Sequence, residues 1–137
     1  LRDPHASIAL SDAGAHLSFF CDVGFGLHLL GHWVRDRQAL SLEEAVWQLT
    51  GRPAEIFGIE KRGRLLPGHA ADLMLFDPST IGRGPRRRVH DLPGGAARLT
   101  TDPKGLHGVW VNGTQVADEK GAIGNGRPGK LLREFAA

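Results

Sequence analysis

Three places in this sequence of 137 residues hold side chains whose types and spacing could do chemistry. The first is Asp12, which follows the short apolar run Ser7-Ile8-Ala9-Leu10 and precedes Ala13-Gly14. Such a run suits a buried strand that opens into a loop, and the C-terminal end of a buried strand is where α/β barrels place catalytic carboxylates. Position alone favours a plainer reading, a turn carboxylate accepting the N–H groups of Ala13 and Gly14. The second place is His28 and His32, four residues apart and so on one helix face, with His16, Cys21 and Asp22 near enough in sequence to complete a metal site. No H-E-x-x-H or H-x-H pattern accompanies them, and an isolated pair at this spacing is more often without a ligand. The third is the basic run Arg83, Arg86, Arg87 and Arg88, which could grip phosphates. Without interleaved aromatic rings it reads as a solvated loop, and no nucleic-acid partner is expected.

Two further segments carry less. Cys21 beside Asp22 lacks the surroundings of a cysteine nucleophile and reads as a small buried thiol. The stretch from Gly121 to Gly129 is rich in glycine but lacks the Lys-Ser/Thr of a phosphate loop.

The elements that must position these groups can be read from composition and pattern. A 41% hydrophobic, 23% charged chain has the balance of a globular domain, and a net charge of +2 from 17 basic and 15 acidic side chains selects no partner. A single cysteine forms no internal disulfide, which makes the cytoplasm the default compartment. No apolar run approaches the roughly 18–20 residues of a membrane span, and no signal peptide is visible. The chain starts at Leu1 and its only methionine is Met74, so it reads as a fragment or a processed product.

Helical spacing of Phe25, Leu29, Leu30, Trp33 and Val34 predicts a helix over 24–37. Ser41 and Glu44 form a capping box ahead of a second helix carrying Leu42, Ala45, Val46 and Leu49. Gly51 is expected to cap that helix, Pro53 to open a short third one, and Gly58 to end it. The continuous apolar run Leu73-Met74-Leu75-Phe76 predicts a strand covered on both faces. Residues 78–104 read as a long irregular excursion with one short strand near Leu99. Val109-Trp110-Val111, Asn112-Gly113 and Thr114 to Val116 predict a hairpin with a type I′ turn. Gly121 to Gly129 is expected to be a loop, and Lys130 to Phe135 a last short strand or helix.

The combination of Ser11-Asp12-Ala13-Gly14-Ala15-His16, Gly31-His32-Trp33-Val34-Arg35 and Leu42-Glu43-Glu44-Ala45-Val46, with Thr50 and Pro53-Ala54, resembles the end of the catalytic barrel in metal-dependent amidohydrolases of the D-aminoacylase type. Gly63 to Leu73, with its Pro67-Gly68 turn and Ala71-Asp72-Leu73, resembles the segment by which such enzymes pass to their small β domain. Val109 to Gly113 and Gly126-Arg127-Pro128-Gly129 resemble the close of that domain.

The resemblance implies an α/β fold class. Residues 1–60 would be the C-terminal end of a TIM-like amidohydrolase barrel, with its last strand and helices, and residues 61–137 part of a small β-sandwich domain. It implies that the parent is a zinc-dependent hydrolase of N-acyl-D-amino acids, with such a small molecule as its partner. Asp12 would lie beside the metal, as a potential ligand, and would handle the proton of the attacking water. The remaining metal ligands and the grip on the substrate carboxylate lie upstream in the family, so the chain alone is expected to be inactive, to hold no zinc and to self-associate. The alternatives are a cyclic-amide hydrolase of the hydantoinase or dihydropyrimidinase kind, a non-catalytic β module that binds a partner, and a weak nucleic-acid binder acting through the arginine run.

Overall fold

The computed structural model describes residues 1–8, 11, 13, 15–21, 23–124, 126–133 and 135. Of the expected first strand, Ala9 and Leu10 lie outside the described residues, while Ser7 and Ile8 form no strand.

The expected helix over 24–37 is present. Helix α1 (Phe25–His28) runs directly into a π-helix (Leu29–Asp36), whose wider turn shows in the Arg37 N–H donating five residues back to the His32 carbonyl at 2.9 Å. Leu29 and Leu30 point into the core, each at most 3% exposed. Gly31 lets this face approach the β region: a Cβ there would stand 2.7 Å from the Ile81 carbonyl oxygen, against backbone that cannot yield.

Helix α2 (Leu42–Leu49) starts with the expected capping box. The Glu44 N–H donates to Ser41 Oγ at 3.1 Å and the Ser41 N–H to Glu44 Oε2 at 2.9 Å, which satisfies two backbone donors that a helix start leaves open. Gly51 does not cap this helix. It is the buried first residue of α3 (Gly51–Ile56), because Thr50 turns a sharp corner (φ −131°, ψ −78°) and the chain re-enters helix at once beside Trp47. Pro53 therefore sits inside the first turn of α3, where its missing N–H has no helical acceptor to lose.

The β region contains β1 (Leu73–Phe76), β2 (Gly82–Arg83), β3 (Arg87–Val89), β4 (Arg98–Thr100), β5 (Pro103–Lys104), β6 (Leu106–Val111), β7 (Thr114–Asp118) and β8 (Gly121–Ala122). Strands β1, β6, β7 and β8 form one antiparallel sheet in that order, and β2 pairs with β5 and β3 with β4 in two small ladders. The hairpin of β6 and β7 turns at Asn112 and Gly113, whose φ values of 48° and 80° are the two left-handed residues of the expected turn.

Three expectations need correction. Strand β1 is not covered on both faces: among the described residues it stands at the sheet edge beside β6, and Leu73, Met74 and Leu75 are 37%, 43% and 55% exposed. Residues 78–104 carry not one strand but four, closed by paired side chains. Arg87 grips Asp102 through two bonds of 3.0 and 2.9 Å, and Arg98 grips Asp91 through two of 2.6 and 2.7 Å. The arginine run is accordingly part strand rather than wholly loop. Finally, residues 130–133 and 135 form neither strand nor helix, and β8 occupies the start of the glycine-rich loop.

Leu29, Leu30, Leu40, Ala45 and Ile81 form the buried centre, with Ile8, Leu42, Phe76 and Leu106 packed around it. Helices and strands thus share one apolar cluster. No helix among the described residues is long and apolar enough to cross a membrane.

Candidate functional site

Asp12 lies outside the described residues, as do Gly14 and Asp22. The turn expected of Asp12 with Ala13 and Gly14 therefore falls outside the described residues; Ser11 Oγ accepts the Ala13 N–H at 3.4 Å. His16 packs against Phe19 and Phe20, with ring centroids 5.0 and 6.1 Å away. Cys21 is buried, 4% exposed, and its carbonyl accepts a bond of 3.1 Å from Arg83 Nη1.

The structure brings His28 and His32 together, but face to face. Their rings stack 4.9 Å apart at 9°, a geometry that does not converge two ring nitrogens on one point. His32 also meets the edge of Trp33 at 5.1 Å. Desolvation, then the neighbouring charges of His32 and Arg83, hold the His28 imidazole below the ordinary histidine range. Among the described residues no three His, Cys, Asp or Glu side chains gather as a metal site.

Around the histidine pair the fold places cations from distant parts of the chain. His28 and His32 line a polar cavity of about 420 Å³ together with Arg35, Arg83, Arg86 and Lys104. The sequence singled out both histidines, Arg83 and Arg86, but not Arg35 or Lys104. Arg35 was legible in principle, three residues beyond His32 on the same helix. Lys104 was not, because only the pairing of β2 with β5 brings it here.

A second polar cluster joins three of the motifs noted in the sequence. Asp72 accepts the Asn112 N–H at 2.8 Å and pairs with Arg62, and Arg62 Nη2 donates to Asn112 Oδ1 at 2.8 Å. The Asn112 side chain then donates to the Pro128 carbonyl at 2.6 Å. These residues hold the hairpin turn against the entry to β1, a structural task.

A model described as the amidohydrolase family matches residues 1–117. The chain belongs to the amidohydrolase family. Within that family it is similar to D-aminoacylase of Alcaligenes xylosoxydans xylosoxydans, 38% identical over 109 residues that make up 80% of this chain and 20% of the relative. It is 39% identical over 105 residues to the N-acyl-D-aspartate deacylase of the same organism, 77% of this chain and 19% of that one. Among solved structures it resembles N-acyl-D-glutamate deacylase from Bordetella bronchiseptica complexed with zinc and a phosphonate inhibitor that mimics the tetrahedral intermediate. There the TM-score is 0.65 at 38% identity, over 81% of this chain and 21% of that one. The chain spans about one fifth of the length of these amidohydrolases.

Zinc in that neighbour raises the question of whether the residues present here could hold the metal. A catalytic zinc takes about three protein ligands, and the described residues offer no such group. They do not fit a zinc centre.

Proposed function

We propose that this amidohydrolase chain is the C-terminal part of an enzyme that hydrolyses the amide bond of N-acyl-D-amino acids, releasing a carboxylate and a free D-amino acid. The observation that carries this reading is the likeness, across most of the chain, to relatives named for that chemistry. Residues 1–60 would close the catalytic barrel and residues 61–137 would contribute to a small β domain. The lone cysteine supports a cytoplasmic setting.

Asp12 is the residue assigned to the reaction. As water attacks the amide carbonyl, a carboxylate must take its proton and deliver it to the departing nitrogen, which otherwise leaves as an amide anion. Zinc in the whole enzyme belongs to the same reading, with Asp12 beside it and the remaining ligands supplied from beyond the described residues. The 137 residues alone would then be inactive.

The test is Asp12→Asn in the whole enzyme, which keeps the shape of the side chain and removes its basicity. Turnover of an N-acetyl-D-amino acid should fall by about 10² to 10⁴, the usual cost of losing a general acid–base group. Asp22→Asn, a nearby carboxylate with no assigned role, should change turnover little. Normal turnover by Asp12→Asn at normal zinc content would reduce Asp12 to a turn residue.

A further inference from the structure

The cavity bordered by His28 and His32 has a charge balance that the rest of the molecule does not share. Among its described lining residues Arg35, Arg83, Arg86 and Lys104 are permanent cations and Asp36 is the only carboxylate, although the whole chain carries a net charge of only +2. Asp36 is engaged by Arg35 Nε at 2.8 Å. Like charges gathered in one concavity repel; the His28 imidazole beside them is lowered first by desolvation and then by His32 and Arg83. An anion bound among them would relieve the repulsion.

The cations are held from behind. Arg35 Nη1 donates to the Ile81 carbonyl at 2.5 Å, Arg83 Nη1 donates to the Cys21 carbonyl at 3.1 Å, and the stem of Arg83 lies against Gly24. Both anchors are uncharged backbone acceptors, so Arg83 is positioned without being neutralised, while Arg35 is offset only through its Nε contact with Asp36. Among the described residues neither Arg83, Arg86 nor Lys104 forms an ion pair with a carboxylate. The close approach at Gly31, which brings the π-helix onto Ile81, also brings Arg35 beside Gly82 at the cavity wall.

We propose that this cavity binds a phosphate group. A tetrahedral dianion offers several acceptor oxygens to planar guanidinium donors and to an ammonium group in one place, the recognition for which arginine is best shaped. The volume of about 420 Å³ far exceeds the share of a single water, about 30 Å³, and leaves room for an organic substituent on the phosphate. The source is therefore free phosphate or a small phosphomonoester. The proposal does not depend on the assignment of Asp12 to amide hydrolysis.

Isothermal titration calorimetry of the chain with inorganic phosphate, and separately with glycerol 3-phosphate, at constant ionic strength tests the proposal. Saturable binding of one phosphate per chain is expected. Arg86→Gln and Lys104→Gln, exposed positions with no part in the core, should each weaken it about two- to fivefold, the range of exposed charge pairs. Lys130→Gln, away from the cavity, should leave it unchanged. Equal affinity for the two compounds would identify free phosphate as the ligand, and tighter binding of glycerol 3-phosphate would identify a phosphomonoester. Absence of saturable binding of either compound, or affinity unaltered in the Arg86→Gln/Lys104→Gln double variant, would overturn it.

Discussion

Asp72 shows how much one side chain can hold. Its carboxylate takes the Asn112 N–H and the Arg62 guanidinium at once, tying the start of β1 to the hairpin turn. Burial pushes the group up, but the Asn112 N–H and Arg62 more than offset that, and Asp72 lies below its ordinary value of 3.8. A lowered carboxyl means that the native state binds this proton less readily than the unfolded chain. Its stabilisation is therefore complete above about pH 4 and is lost as pH falls through the lower native value. Asp72→Asn should cost about 1 kcal/mol at pH 7, the worth of an ordinary hydrogen bond; with a third of the side chain exposed, the ion pair adds little. Urea unfolding at pH 7 and pH 2 checks this, and the difference between the two proteins should shrink in acid. An equal loss at both values would assign the effect to packing instead. Asp12, in contrast, carries its assignment from sequence likeness alone, which is why its test requires turnover rather than stability.

Elements that depend on neighbours a few residues away were legible in the sequence. The capping box of Ser41 and Glu44 and the turn at Asn112 and Gly113 are each specified within four residues, and both form as expected. What the sequence misjudged depends on partners far along the chain. The apolar run of β1 looks like a buried strand because hydrophobicity reports preference, not the presence of something to pack against. The ladders within 78–104 are closed by Arg87 with Asp102 and Arg98 with Asp91, fifteen and seven residues apart, which no periodicity announces. The candidate site divides in the same way: the helical face of His28, His32 and Arg35 was readable, and the strand that adds Lys104 was not. The exposed edge of β1 leads to an expectation of its own. Its unpaired backbone groups and bare side chains favour pairing with another chain, so the protein should scatter light as a dimer or larger assembly at high concentration. Leu75→Lys, at a position 55% exposed opposite Gly108, should shift it toward monomer, since a lysine at a strand edge opposes further pairing. A monomer over the whole concentration range would count against this reading of the edge.

On the scale of the whole molecule, the centre is small and shared. Ile81 and Leu106 from the β region pack with Leu29, Leu30 and Leu40 from the helical region, so among the described residues the two regions share a buried centre, and loosening one should loosen the other. The Arg83 bond to the Cys21 carbonyl lies on that seam. Cys21 is the only thiol in the chain and is 4% exposed, and a thiol reagent needs access to its target. Alkylation must wait until the segment opens, so its rate at saturating reagent is a clock for that opening. Modification should be slow in the folded chain and faster in Arg83→Gln, with mass spectrometry counting the adducts over time. A folded chain modified as fast as one unfolded in urea would mean that the seam gives the thiol no shelter. These 137 residues thus carry their own single-site reporter on the boundary between helices and strands, and no residue has to be added to follow it.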